Sequence, residues 1–223
     1  MSPLLPPQRL PATVPLLSLA LAGCFGNEVT PFPPGLEPLE AINKAPAPKP
    51  LEGDPYPETI RWVGSSTEAY EWVHAKAFVH APIARTWQAL QQTDVDVDRR
   101  AVSEWSMTPD VEEGFDVSYK IHNIVHEFLT VEFDITWRHG VIDGSRDEPE
   151  VVAIRFQKTW GTTFIEILRG SIVLRRVDDN TTSLEMIEHI NAAMSGEDKI
   201  SNYVRDLHAS TVAWVHDRPL PTY

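Results

Sequence analysis

A chain of 223 residues carrying a net charge of −13, with no run of Lys or Arg, is ill suited to nucleic acid, which is held by clustered cations that release counterions. The same charge argues against electrostatic docking on anionic lipid. A single cysteine excludes an internal disulfide and a multi-cysteine metal site, no cofactor motif is present, and 42% hydrophobic residues supply one sizeable core.

Residues 1–23 have the layout of an export signal. Arg9 is their only basic side chain, and the apolar run Val14 to Ala22 is too short to span a bilayer. The run ends in Leu21-Ala22-Gly23-Cys24, which resembles the bacterial lipobox of Leu, small, small, Cys. That resemblance implies diacylglycerol on Cys24, cleavage before it, and attachment to the bacterial cell envelope. Phe25 in place of Asp implies the outer membrane by the enteric sorting rule. The alternative is an unmodified cysteine in an ordinary signal peptide. Residues 24–58 are rich in proline, which fixes φ and removes donors, so a semi-rigid tether is expected there.

From about residue 59 to 223 the chain reads as one folded domain. Alternating patterns predict strands over Tyr70–His80, Val117–Val125, Leu129–Arg138, Val151–Thr159, Thr163–Val177 and Thr181–Ala193. The cleanest is the third, with Leu129, Val131, Phe133, Ile135 and Trp137 on one face. Asp178-Asp179-Asn180 makes a tight hairpin between the last two. Pro82 suits the first turn of a helix whose apolar positions are Ile83, Trp87 and Leu90. A second, longer helix follows a capping signal at Ser195–Asp198. Its stripe is Ile200, Tyr203, Val204, Leu207, Thr211, Trp214 and Val215, and Pro219 prevents its continuation.

An antiparallel sheet with one apolar face must wrap around that long helix to bury both. At this point the segment 70–217 resembles the START-like (SRPBCC) superfamily. The likeness rests on Ala77-Phe78-Val79-His80-Ala81-Pro82 followed by Thr86-Trp87-Gln88-Ala89-Leu90. At the far end it rests on Gly170-Ser171-Ile172-Val173-Leu174, Thr182-Ser183-Leu184 and Asn202-Tyr203-Val204. The resemblance implies an α+β helix-grip fold with a cavity between sheet and helix. Its ligand is then a small hydrophobic molecule or a lipid, while some members are cyclases or hydrolases.

Candidate chemistry is sparse. His122-Asn123-Ile124-Val125-His126-Glu127 has two histidines four apart, but in a strand they stand about 13 Å apart, too far for one ion. Asp94-Val95-Asp96-Val97-Asp98 lacks the Gly and Glu of a calcium loop and reads as a solvated loop. Glu185 and His189 form an acid–base pair if their side of the last strand faces the cavity, and are surface groups if it does not. Trp87, Trp137 and Trp214, with Arg169 for a headgroup, are the expected ligand contacts; no metal site or cofactor is expected. Three functions remain open: a carrier, an enzyme on the same fold, and an interaction protein with a filled core.

Overall fold

In the computed structural model, residues 32–127, 129–193 and 197–223 are described. The signal-like segment, Cys24 and the Ser195-Gly196 part of the expected cap lie outside them. Eight strands form one sheet: β1 (Ile60–Ser66), β2 (Glu71–Val79), β3 (Glu104–Pro109), β4 (Val117–His126), β5 (Thr130–Gly144), β6 (Pro149–Gly161), β7 (Ile165–Asp178) and β8 (Thr181–Ala192). Every pairing is antiparallel, in the order β1-β2-β8-β7-β6-β5-β4-β3. The helices are α1 (Ile83–Ala89), the single turn α2 (Thr93–Asp96) and α3 (Glu197–Val215). The architecture is the expected helix-grip: a curved antiparallel sheet with the C-terminal helix against its inner face. All six expected strands form; β1 and β3 are additional edge strands whose exposed, polar sequences carry no clean alternation.

The stripe on α3 is what holds it to the sheet. Ile200, Val204, Leu207 and Val215 are buried, each contributing about 1.5–3 kcal/mol by removal from water. Polar ties fix its position: His208 Nε2 lies 3.0 Å from the Phe78 carbonyl, and the Tyr203 hydroxyl donates to the Asp96 carbonyl at 3.0 Å.

The strand register sorts the residues between two faces. Across the inner face one row runs Tyr119, Trp137, Phe156, Gly170, Glu188, Val73, each paired with the next. A neighbouring row, Arg138, Arg155, Ser171, Ile187, His74, points outward.

That outer face corrects the tether expectation for residues 32–58. From residue 32 onward the proline-rich segment crosses the sheet as a strap and packs with the compact unit. Leu36 is buried against Gly140, where a Cβ would stand 2.4 Å from the Leu36 Cδ1. Arg155 donates to the Glu37 carbonyl, and the Leu39 N–H donates to Ser171 Oγ at 3.1 Å. Asn43 Nδ2 then donates to the carbonyls of Ala75 and Met186, at 3.0 and 3.1 Å. Ala45, Pro48 and Pro57 are also buried. A proline-rich chain suits this task, since it is already extended and has few N–H groups to satisfy.

Candidate functional site

Between the inner face and the N-terminal half of α3 lies a cavity of about 260 Å³. The stripe Leu129, Val131, Phe133, Ile135 and Trp137 supplies one wall, and Phe156, Leu168, Ile190 and Ile200 continue it. Phe156 stacks on Trp137 with ring centroids 4.4 Å apart. The stack depends on Gly170: a Cβ there would fall 1.9 Å from the Phe156 Cζ. Exposed Leu129 and Phe164 mark the side where the cavity meets solvent.

Beyond Trp137 the inner face carries a buried polar relay. The indole of Trp87 has only a donor, and it bonds His139 Nδ1 at 3.1 Å. His139 must therefore be bare at Nδ1 and protonated at Nε2, which donates to the Tyr119 hydroxyl at 3.1 Å. Tyr119 in turn donates to Asp96 Oδ2 at 2.5 Å, in preference to the Leu90 carbonyl at 3.2 Å. Full burial holds the His139 pKa down to about 3, so the ring stays neutral. The same burial pushes the Asp96 carboxyl well above its ordinary range, against the opposing Tyr119 hydrogen bond.

The relay ends in the cavity. Among the described residues, the Oδ1 of Asp96, 2% exposed, has no partner, and Glu188, 5% exposed, likewise has an unpartnered Oε2. Burial, with a smaller contribution from Asp98, raises the Glu188 pKa well above normal. Trp137 Nε1–H, also buried in the lining, lacks an acceptor among the described residues.

Several sequence expectations change. Asp94–Asp98 is not a solvated loop: Val95 and Asp96 are buried, and Asp98 receives the N–H groups of Arg100 and Ala101. Glu185 and His189 lie on the outer face and do not meet. Glu185 is 3.9 Å from Lys76, while His189 stacks on Tyr70. Of the expected ligand contacts only Trp137 reaches the cavity. Trp87 is spent in the relay, Trp214 lies under the Arg85 guanidinium, and Arg169 stands over Tyr70 on the outer side. His122 pairs with Asp134 at 2.7 Å and His126 with Glu104 at 3.0 Å, apart from one another. Glu188 did leave a signal: it is a carboxyl in the otherwise apolar alternation Leu184, Met186, Ile190. Asp96 left none beyond its valine neighbours.

On the outer face Glu40, His74 and His189 bring their donor atoms within 4.8 Å, a spacing that suits a metal ion. The hydrogen pattern does not. The Lys44 N–H donates to His74 Nδ1 at 2.9 Å, so the proton of neutral His74 sits on Nε2, facing Glu40. A metal on Nε2 would drive that proton onto Nδ1, against the Lys44 N–H. His189 Nδ1 is buried without the acceptor that orients a metal-bound imidazole. The group is instead a clasp: Glu40 Oε1 lies 3.1 Å from His189 Nε2 and 3.3 Å from His74 Nε2, and Lys44 Nζ lies 3.1 Å from Oε2. Burial lowers the pKa of both histidines and pushes that of Glu40 up, but its bonds to Lys44 and His189 leave it below normal.

Neither a protein-family model nor a curated protein sequence matches the chain. Solved structures do. The human StarD13 lipid transfer and protein localization domain is 10% identical, over 71% of this chain and 83% of that one, with a TM-score of 0.48. Human StAR-related lipid transfer protein 5 is 7% identical over 73% and 82%, also at 0.48. The Zhui aromatase/cyclase of a Streptomyces species is 12% identical over 70% and 92%, at 0.41. These are START/SRPBCC-type domains, and at such identities the likeness concerns the fold.

Proposed function

We propose that this protein binds a small apolar molecule in the cavity between its sheet and α3, without covalent chemistry, while anchored to a bacterial membrane through lipid on Cys24. The observation that carries the binding reading is the cavity: a space of about 260 Å³ lined mainly by aliphatic and aromatic side chains. A core needing only stability would fill it, since empty volume forfeits dispersion and costs stability. A 150 Å³ apolar cavity accommodates benzene, so this one suits a molecule of about ten non-hydrogen atoms, well short of a phospholipid. The enzyme reading loses its acid–base pair, because Glu185 and His189 are outside.

The test is native mass spectrometry of protein made in its host, with calorimetric titration of 2-phenylethanol as an apolar probe. A bound small molecule, or probe binding that Ile135→Trp abolishes by filling the space, supports the reading. Absence of both sinks it. Anchoring rests on the Leu21-Ala22-Gly23-Cys24 pattern. From Cys24 to Leu36, where the strap is already seated, the chain extends at most about 40 Å, so the anchor would keep the domain near the bilayer. Cys24→Ser is expected to release the protein from membranes and abolish labelled palmitate uptake; unchanged membrane pelleting and labelling would refute the anchor.

A further inference from the structure

The ionisable groups lining the cavity, among the described residues, are Asp96, Asp98, Glu127, Glu188, Lys199 and Tyr203. They come from α2, the loop after it, the end of β4, β8 and α3; the walls from β5, β6 and β7 contribute none. Four are carboxyls and only one is a cation. Lys199 and Glu127 are exposed at the solvent side, whereas Asp96 and Glu188 are more than nine-tenths buried. Two deeply buried carboxyls without a buried cation are an expensive arrangement, because each loses hydration and gains nothing for the oxygen left unpartnered. Asp96 Oδ2 and the Asp96 carbonyl are both engaged, by Tyr119 and Tyr203, so the free Oδ1 is held in a fixed position.

A hydroxyl ligand would need no carboxyl; an amide or hydroxyl side chain recognises it at lower desolvation cost. Fatty acids and phosphates would find carboxyls and no guanidinium. The complement of this pole is a positively charged donor. We propose that the cavity recognises a small aromatic or aliphatic primary amine, whose ammonium group is held by the carboxyls of Glu188 and Asp96 and whose apolar body lies along the Trp137–Phe156 stack. This rests on the cavity-binding reading above and names its ligand class. An acceptor on the body of the amine would also satisfy the free Trp137 Nε1–H.

The proton balance follows. Burial raises both Glu188 and Asp96 above the ordinary carboxyl range. The amine arrives from water as ammonium, and the protons that the two carboxyls carry in the empty cavity pass to the buffer as they become its acceptors. Binding therefore releases protons to the buffer.

The experiment is calorimetric titration of the full-length protein at pH 7 with three probes of one shape: 2-phenylethylamine, 2-phenylethanol and phenylacetate. Repeating the amine titration in buffers of different ionisation enthalpy counts the protons. We expect the amine to bind at least about tenfold tighter than the alcohol, as a desolvated charge pair allows, with no measurable phenylacetate binding and net proton release. Glu188→Gln removes the amine's preference over the alcohol and reduces the proton release. Equal binding of amine and alcohol, phenylacetate binding as tight as the amine, or an amine preference that survives Glu188→Gln overturns the proposal while the cavity reading stands. If none of the three binds, both fail. Should Glu188→Gln not fold, the wild-type probe order and proton count decide alone.

Discussion

His139 offers a measurable consequence of the buried relay. Its ring is wholly buried, its Nδ1 is occupied by the Trp87 N–H, and its pKa falls from 6.5 to about 3 on folding. Between those values the unfolded chain binds a proton that the folded chain refuses. The stabilisation is therefore fully present above pH 6.5 and is lost as pH falls toward 3. With 1.36 kcal/mol per pKa unit, the loss from this one residue is about 2 kcal/mol by pH 5 and about 3 kcal/mol by pH 4. Other groups titrate too. His74, His189 and His208 are also lowered and add to the slope, whereas Asp96 and Glu188 are raised and stabilise the fold as pH falls. A difference measurement isolates the residue. His139→Gln keeps an acceptor for Trp87 and a donor for Tyr119 but does not titrate. Urea unfolding followed by tryptophan fluorescence, at pH 7 and pH 5, is expected to show wild type losing about 2 kcal/mol more than the variant. Equal losses would refute the assigned tautomer and its cost.

Three further outcomes follow from the packing. Glu188→Leu replaces an unpartnered buried carboxyl with an apolar side chain and is expected to raise stability by about 1–3 kcal/mol in the same urea assay, while removing amine selectivity. Gly170→Ala puts a methyl into the Phe156 ring and is expected to cost about 1–3 kcal/mol, with loss of the near-ultraviolet dichroism of the Trp137 stack; an unchanged spectrum would contradict the contact. Asn43→Ala removes two bonds to the β2 and β8 carbonyls and is expected to cost about 1–3 kcal/mol, with faster tryptic cleavage at Lys44 than in wild type.

Legibility followed the strength of the repeating pattern. Leu129–Trp137 was readable as a strand and as a single face because five apolar residues alternate without interruption, and that face became a cavity wall. The stripe on α3 was readable for the same reason at helical spacing. The strap was not, because proline-rich sequence has one local conformation whether it stands free or lies on a sheet. What decides is whether the surface beneath offers partners such as Ser171, His74 and the Ala75 carbonyl, scattered far along the chain. The relay of Trp87, His139, Tyr119 and Asp96 was illegible too, since its members come from α1, β5, β4 and α2 and only the folded domain makes them neighbours.

The last strand shows how little separates one functional reading from another. Strand side chains alternate between faces, so a single choice of parity decides whether Glu185 and His189 or Glu188 enters the cavity. Sequence leaves that choice open because both sets mix apolar and polar residues. The fold makes it through β8's two neighbours: Leu184, Met186 and Ile190 must lie with Ile172, Leu174 and Leu168 of β7, the pairing that buries most aliphatic surface. Once that is fixed, His189 is sent outward to the Glu40 clasp and Glu188 inward without a partner. A slip by one residue would bury His189 among aliphatic side chains and strand Leu184 and Met186 under the strap. The cost of the unpartnered Glu188 is thus not forced on the strand by its apolar residues, which any neutral side chain at that position would serve equally well. It is a feature that folding alone does not require, which is the reason to look for its explanation in a ligand.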